Sequence, residues 1–215
     1  MSINNIIINP IIIDDFLPAT LRDDFESYMT SGEFSWFYSP SICGKGSAPE
    51  EAFSNKKVTH SNGFYHTLFN VDFGGVTSEY FMKFNPITYF FDNLGSEFFV
   101  KNLLRLRCRM THPQPHLNHT KDNYNVPHLD FEGDYVDNHI AFIYYVNDSD
   151  GDSVIYNVTA KDAEENPDIL LDPPELIRCS PKKNRLLIFD GELYHSGNCP
   201  TNSRERITIN CDFVA

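Results

Sequence analysis

Three side chains in the second half of the chain have the types and spacing of a metal site. In Val126–Glu132, which reads VPHLDFE, His128 and Asp130 stand two residues apart. On an extended chain such residues project from one face, so both side chains would point the same way. A second histidine, His195, follows much later in FDGELYHSG, and the pattern around it reads as just beyond a strand and a turn. Two histidines and one carboxylate from distant strands match the facial arrangement that holds non-haem Fe(II) and leaves coordination positions open. An HxD pair alone also occurs as a solvated loop histidine and aspartate, so the surrounding chain has to decide between the two.

A second group lies downstream in RERITIN. Arg206, Thr208 and Asn210 share one face of an alternating strand, and Ile207, Ile209 and Cys211 share the other. A guanidinium beside a hydroxyl suits a dicarboxylate, because the planar fork pairs two oxygens at once. The same three residues would also serve as the wet face of an amphipathic strand. Upstream, Phe142–Asn147 reads as a strand ending in a tight turn, with one of its two tyrosines facing the interior.

These residues need a scaffold of strands. From about residue 103, Leu104, Leu106, Cys108 and Met110 alternate with Arg105, Arg107 and Arg109. Runs of β-branched and aromatic residues follow at 139–146 and 153–158, a short apolar run at 186–189 precedes the Asp190–Gly191 turn, and 206–213 alternates again. Several short strands joined by turn signals argue for an antiparallel sandwich or barrel. The first third differs. Ile11–Ile13 reads as a short strand; Pro18 then opens a helix carrying Leu21, Phe25, Tyr28 and Met29, which Gly32 stops. Residues 43–62 read as a polar surface loop, and 79–104 as Phe-rich helical stretches broken at Pro86 and Gly95. Helices packed on one sheet complete an α+β class.

Composition narrows the function. A chain of 215 residues, 41% hydrophobic and 14% aromatic, has material for a real core. Its 17 basic and 30 acidic residues leave a net charge of −13. Such a chain does not hold a phosphate backbone by bulk electrostatics, which argues against nucleic-acid and anionic-membrane partners. No secretory signal and no 18-residue apolar stretch is visible. Five cysteines without a CxxC (Cys43, Cys108, Cys179, Cys199, Cys211) fit reduced thiols in a cytoplasm.

In order along the chain, PHLD (127–130), IYYVN (143–147), DGDSVIYN (150–157), PKKNRLLIFDGELYHSG (181–197) and RITI (206–209) resemble the Fe(II)- and 2-oxoglutarate-dependent dioxygenases. The small bacterial and bacteriophage members of the prolyl-4-hydroxylase-like branch look most similar, and IIIDDFLP (11–18) followed by a helix resembles the beginning of that family. The resemblance implies one domain over 1–215: a double-stranded β-helix, or jelly roll, over 103–215, buttressed by a helical and extended preface over 1–102. It implies His128, Asp130 and His195 as Fe(II) ligands and Arg206 as the 2-oxoglutarate anchor, with Thr208 and Tyr145 meeting the same carboxylate. Arg204, on the same strand face, is the alternative anchor; Arg206-Ile207-Thr208 fits the common Arg-x-Ser/Thr pattern better. The family's GGxT turn is here DGDS. The cofactors implied are Fe(II), 2-oxoglutarate as co-substrate and O₂, with ascorbate as a candidate auxiliary reductant. The implied reaction hydroxylates a C–H bond of a prolyl, peptidyl or small amino-acid-like substrate and releases succinate and CO₂. A retained Asp130 favours hydroxylation over halogenation. Fe(II), Asp130, 2-oxoglutarate and one arginine together carry zero charge, so the assembly can sit inside a barrel.

Two other readings stay open. One is a non-catalytic jelly-roll binding or structural protein; the other is a cupin-like metalloenzyme that does not use 2-oxoglutarate. The run THPQPHLNH, with His112, His116 and His119, keeps the second alive, although its two prolines suit an exposed loop or lid. His60, His66 and His139 read as surface or core residues. The arginine row 105–109 either attracts an anionic substrate or meets acidic partners of its own chain. Glu132 and Tyr135 are placed near the mouth only by proximity in sequence, and Trp36–Tyr38 as core or a hydrophobic lip. Cys108 and Cys211 are expected to be buried and inert.

Overall fold

The computed structural model describes residues 9–42, 58–83, 103–117, 124–131 and 139–214. The first half supplies β1 (Ile11–Ile13), α1 (Ala19–Met29), β2 (Phe37–Ser39), β3 (Val58–Thr59), β4 (Gly63–Asn70), β5 (Gly75–Val76), α2 (Tyr80–Lys83) and β6 (Leu103–Thr111). The second supplies β7 (Tyr124–Asn125), β8 (His139–Tyr145), β9 (Ser153–Thr159), α3 (Ala160–Glu165), β10 (Glu175–Cys179), β11 (Arg185–Asp190), β12 (Leu193–Gly197) and β13 (Arg206–Val214). The large sheet runs β1-β11-β8-β13-β6-β4-β2, with β5 on β4; the small sheet runs β10-β9-β12. His128 adds itself to the small sheet through an antiparallel bridge to His195. Two facing antiparallel sheets between which the chain crosses repeatedly from β8 to β13 make a jelly roll.

Period-two alternation explains the layers. On β6 and β13 the apolar residues Leu106, Cys108, Ile207, Ile209, Cys211 and Phe213 turn outward onto α1, where they form one buried cluster with Phe25, Met29 and Leu68. Each large apolar side chain so buried stabilises the fold by about 1.5–3 kcal/mol. The opposite face looks into the space between the sheets, where Ala141, Ile143, Tyr145, Ile155, Leu187 and Phe189 pack together. A third cluster, with Val126, Tyr156, Val158 and Tyr194, lies under α3 on the back of the small sheet.

Several details depart from the sequence reading. Pro18 precedes α1 as its N-cap instead of occupying the first turn, and the helix ends at Met29 before Gly32. His195 lies beyond β11 and its turn, as expected, and within a further strand, β12. The preface is more than buttressing helices: β4 pairs along β6 and β1 along β11, extending the large sheet on both sides. Most of the expected loop at 43–62, much of the Phe-rich stretch and the positions of Glu132, Tyr135, His119 and Cys43 lie outside the described residues. The chain passes into β11 through Asn184, whose positive φ of 68° suits an asparagine turn. Its side chain accepts from Leu17 N and from the Tyr144 hydroxyl, fastening the N-terminal segment to the large sheet.

Candidate metal and co-substrate site

The backbone of His128 and His195 exchanges two hydrogen bonds of 3.0 Å, which sets the two imidazoles side by side with centroids 4.6 Å apart. Asp130, two residues on, brings its carboxylate to 3.3 Å from His195 Nε2. One ligand atom from each of His128, Asp130 and His195 lies within 4.8 Å of the others. Among the described residues this is the single cluster of three such groups. Each histidine donates Nδ1–H to a carbonyl two residues earlier, Val126 at 3.0 Å and Leu193 at 3.3 Å. That fixes both tautomers and leaves both Nε2 lone pairs free for a metal. Burial, reinforced by His195, pushes the His128 imidazole down to about 3, so it is neutral and competent as a ligand near pH 7.

The Asp130 carboxylate does not stand alone. Burial works against its charge, but the Arg105 guanidinium in direct contact, with His195 and Arg109 beyond, holds it well below the usual carboxylate range. Arg105 also binds Asp212 through Nε (3.0 Å) and Nη2 (2.9 Å), and Asp212 accepts from or pairs with His139 Nε2 at 3.2 Å. Gly191 lets the His139 ring lie where a Cβ would come within 2.3 Å of it. This buried chain from His139 through Asp212 and Arg105 to Asp130 went unread in the sequence. A signal was present: the inward alternation from Arg206 continues to Asp212.

On the large sheet, register pairs Arg109 with Thr208 and Thr208 with Tyr145, so these three side chains form a row facing the histidines. Arg206 starts the same face, 7% exposed; its Nη2 donates to Ser153 Oγ at 2.7 Å and its guanidinium lies 5.6 Å from the Tyr145 ring centre. Arg206 Nε and the Tyr145 hydroxyl are buried without a hydrogen-bond partner. Burial raises the Tyr145 pKa above its ordinary value, so the hydroxyl keeps its proton and can donate. Thr208 donates to Asn210 Oδ1 at 2.8 Å. Arg204, the alternative anchor, precedes β13, and its side chain is 92% exposed beside Glu205. A small cavity lined by Arg109, His128, Ile143, His195, Arg206 and Asn210 joins the two groups. The donor set fits both ligands that such a site could hold: two imidazoles and a carboxylate for a borderline divalent metal, and two orphaned buried donors for an oxyanion.

Residues 115–213 match the profile of the 2OG-Fe(II) oxygenase superfamily. The matched residues hold His128, Asp130, His195 and Arg206, so the second half of the chain is similar to that superfamily across the whole site. As a 2OG-Fe(II) oxygenase it uses Fe(II), 2-oxoglutarate and O₂. Solved structures share its fold at low identity. An oxidoreductase of the 2OG-Fe(II) oxygenase family from Burkholderia pseudomallei aligns with TM-score 0.59 at 9% identity, over 99% of this chain and 87% of that one. SnoN, an α-ketoglutarate-dependent epimerase of nogalamycin biosynthesis, aligns with TM-score 0.55 at 10% identity, over 95% and 77%. SnoK, a carbocyclase of the same biosynthesis, gives 0.54 at 11%, over 95% and 79%. No curated protein matches the sequence.

The remaining candidates of this oxygenase fall elsewhere. His112 Nδ1 donates to the Arg204 carbonyl at 3.1 Å, and His116 sits exposed in a single turn at 115–117. His66 bridges Ser35 O and Ser78 Oγ inside the preface. Trp36 donates to Met29 O, while Phe37 and Tyr38 are exposed. Cys108 and Cys211 are buried, as are Cys179 and Cys199, and all four are free thiols. No described helix is long and apolar enough to cross a membrane.

Proposed function

We propose that this oxygenase hydroxylates a C–H bond of a small amino-acid-like or peptidyl substrate, with His128, Asp130 and His195 holding Fe(II) and Arg206 anchoring 2-oxoglutarate. The observation that carries the reading is the convergence of the three ligand atoms within 4.8 Å, both imidazoles presenting Nε2. Bound Fe(II) supplies the oxidising chemistry: 2-oxoglutarate and O₂ become succinate and CO₂, one oxygen atom entering succinate and the other the substrate C–H bond. The protein's own residues do the positioning. Arg105 holds the Asp130 carboxylate ionised and oriented, and Asp212 with His139 holds Arg105. Arg206 Nε and the Tyr145 hydroxyl offer the distal carboxylate of 2-oxoglutarate unmet buried donors, and Thr208 lies beside them. Ile143 and the aliphatic wall of β8 exclude water from the cavity.

One domain over 1–215 agrees with the pairing of β4 on β6 and β1 on β11. Four free buried thiols agree with a reducing compartment such as the cytoplasm. Anaerobic titration of the purified protein with Fe(II) and 2-oxoglutarate tests the assignment. A weak visible charge-transfer band that requires both additions is the expected result. Metal binding without such a band would favour a metalloenzyme that does not use 2-oxoglutarate at this site, and binding of neither would leave a non-catalytic jelly roll.

A further inference from the structure

The three inward arginines of β6 have different fates. Arg105 is matched by Asp130 and Asp212. Arg109 ends 4.0 Å from Asp130 and lines the cavity of the metal site. Arg107, between them, is only partly exposed, yet among the described residues no carboxylate lies within ion-pair distance of it. Its one side-chain hydrogen bond runs from Nε to Thr67 Oγ1 at 3.1 Å, and its guanidinium lies 5.6 Å from the Tyr65 ring centre. Among the described residues its two terminal nitrogens meet no hydrogen-bond acceptor. Burial above all, with Arg105 and Arg109 on either side, pushes its pKa down to about 9 against the pull of Asp130 and Asp212.

Such an arrangement costs stability, since a partly desolvated charge flanked by like charges is offset here by only one hydrogen bond and one ring contact among the described residues. Arg107 stands apart from the 2-oxoglutarate anchor: it does not line the cavity that holds Arg206, and it faces Thr67 and Tyr65 of β4 instead. Residues two apart on a strand are separated by roughly 7 Å, so Arg107 stands one side-chain step from the arginine that touches Asp130.

We propose that Arg107 binds a carboxylate of the substrate, so that this enzyme hydroxylates carboxylate-bearing, amino-acid-like compounds, held with their anionic end on the β6–β4 side of the metal centre. The inference rests on the oxygenase reading above. Its fork has two terminal nitrogens available for a bidentate pair, and Tyr65, exposed next to it, gives the attached carbon skeleton an apolar wall. The carboxylate has two sources, a free acid or an acidic side chain of a peptide, and one assay separates them.

Succinate release is measured for the twenty free L-amino acids and a set of short carboxylic acids, each beside its amide. Alongside them stand proline peptides with a flanking glutamate and the same peptides with glutamine. The expected result is turnover with at least one acid, falling about 10- to 100-fold in kcat/KM for its uncharged partner, the span of a lost charged hydrogen bond. For that substrate, Arg107→Gln raises KM far more than it lowers kcat and abolishes the discrimination between acid and amide, whereas Arg107→Lys restores part of it. Anaerobic calorimetric titration of the same acid into the Fe(II)-loaded protein gives the matching loss of affinity without turnover. Preference for the glutamate peptide would assign the peptide source. A neutral substrate used equally well, no turnover with any acid while the charge-transfer band forms, or an Arg107→Gln variant that loses stability yet keeps the discrimination would each overturn the proposal. Absence of the band itself would instead overturn the oxygenase reading of the site.

Discussion

The inner face of the large sheet has two ends that treat buried charge differently. Around Asp130 every charge is answered from within the chain: Arg105 meets Asp130 and Asp212, and His139 closes the other side of Asp212. Around Arg206 the chain leaves donors unanswered, with Arg206 Nε and the Tyr145 hydroxyl buried and unpaired. The first end has to hold its shape whether or not a metal is bound, because a carboxylate without a counter-charge would take up a proton and cease to be a ligand. The second end keeps its hydrogen-bonding capacity for a molecule that comes and goes with every turnover. Charges matched within the chain mark the resident part of the site, and the other end keeps the Arg206 and Tyr145 donors for a transient ligand.

The largest effect is expected from Asp130→Ala. It removes a metal ligand and leaves Arg105 facing one carboxylate fewer, so the Fe(II)-dependent absorbance band should vanish and metal affinity fall beyond the roughly 100-fold typical of outer-shell changes. Retained Fe(II) affinity would break the ligand assignment. Arg105→Met tests the satisfied end directly. Two buried carboxylates lose their partner, and the metal-free protein should lose about 3–5 kcal/mol in urea unfolding. A divalent cation beside Asp130 replaces part of the missing charge, so Mn(II) should recover stability in the variant more than in the parent. Equal Mn(II) effects in both would refute the coupling.

Arg206→Ala tests the open end. It should weaken 2-oxoglutarate binding by about 2–5 kcal/mol while Arg204→Ala leaves it unchanged, both read by the same anaerobic titration. An unaltered affinity in the Arg206 variant would transfer the anchor elsewhere. Protonation gives a smaller, graded effect. The folded His128 imidazole takes its proton only at about 3, while an unfolded histidine does so near pH 6.5. Between these values the unfolded chain binds more protons, so the stability contributed by neutral His128 is complete above about pH 6.5 and is lost progressively as pH falls toward 3. His128→Gln should flatten that decline in the metal-free protein; parallel pH slopes would show that other groups govern it. The mildest change is Gly197→Ala, whose Cβ would lie 3.3 Å from Arg206 Nη2. A flexible guanidinium can give way by a few tenths of an ångström, so 2-oxoglutarate binding should weaken by about 1 kcal/mol, the low end of overpacking costs; a total loss would mean that Arg206 has no room to move.

Much of this was legible in the residue order. Period-two alternation in 103–111 and 206–214 states which side chains look inward, since a strand's pleat leaves no other choice once one face is apolar. The HxD spacing puts His128 and Asp130 on one side for the same reason, and His195 follows from an ordered set of motifs. What the order of residues could not decide is partnership across strands. Arg204 and Arg206 stand on one strand face in RERITIN, and the Arg-x-Thr pattern only favours Arg206; the start of β13 at Arg206 puts that one inside and the other in solvent. Gly63–Asn70 was read as preface, and its pairing with β6 depends on a register between distant segments. The three arginines of β6 look alike in sequence. Register alone sets Asp212 opposite Arg105 and the neutral Asn210 opposite Arg107, making one arginine a structural partner of the metal site and leaving the other without a counter-ion. Local spacing is a property of the backbone's own periodicity, whereas the pairing of charges depends on which strands the folded chain brings side by side.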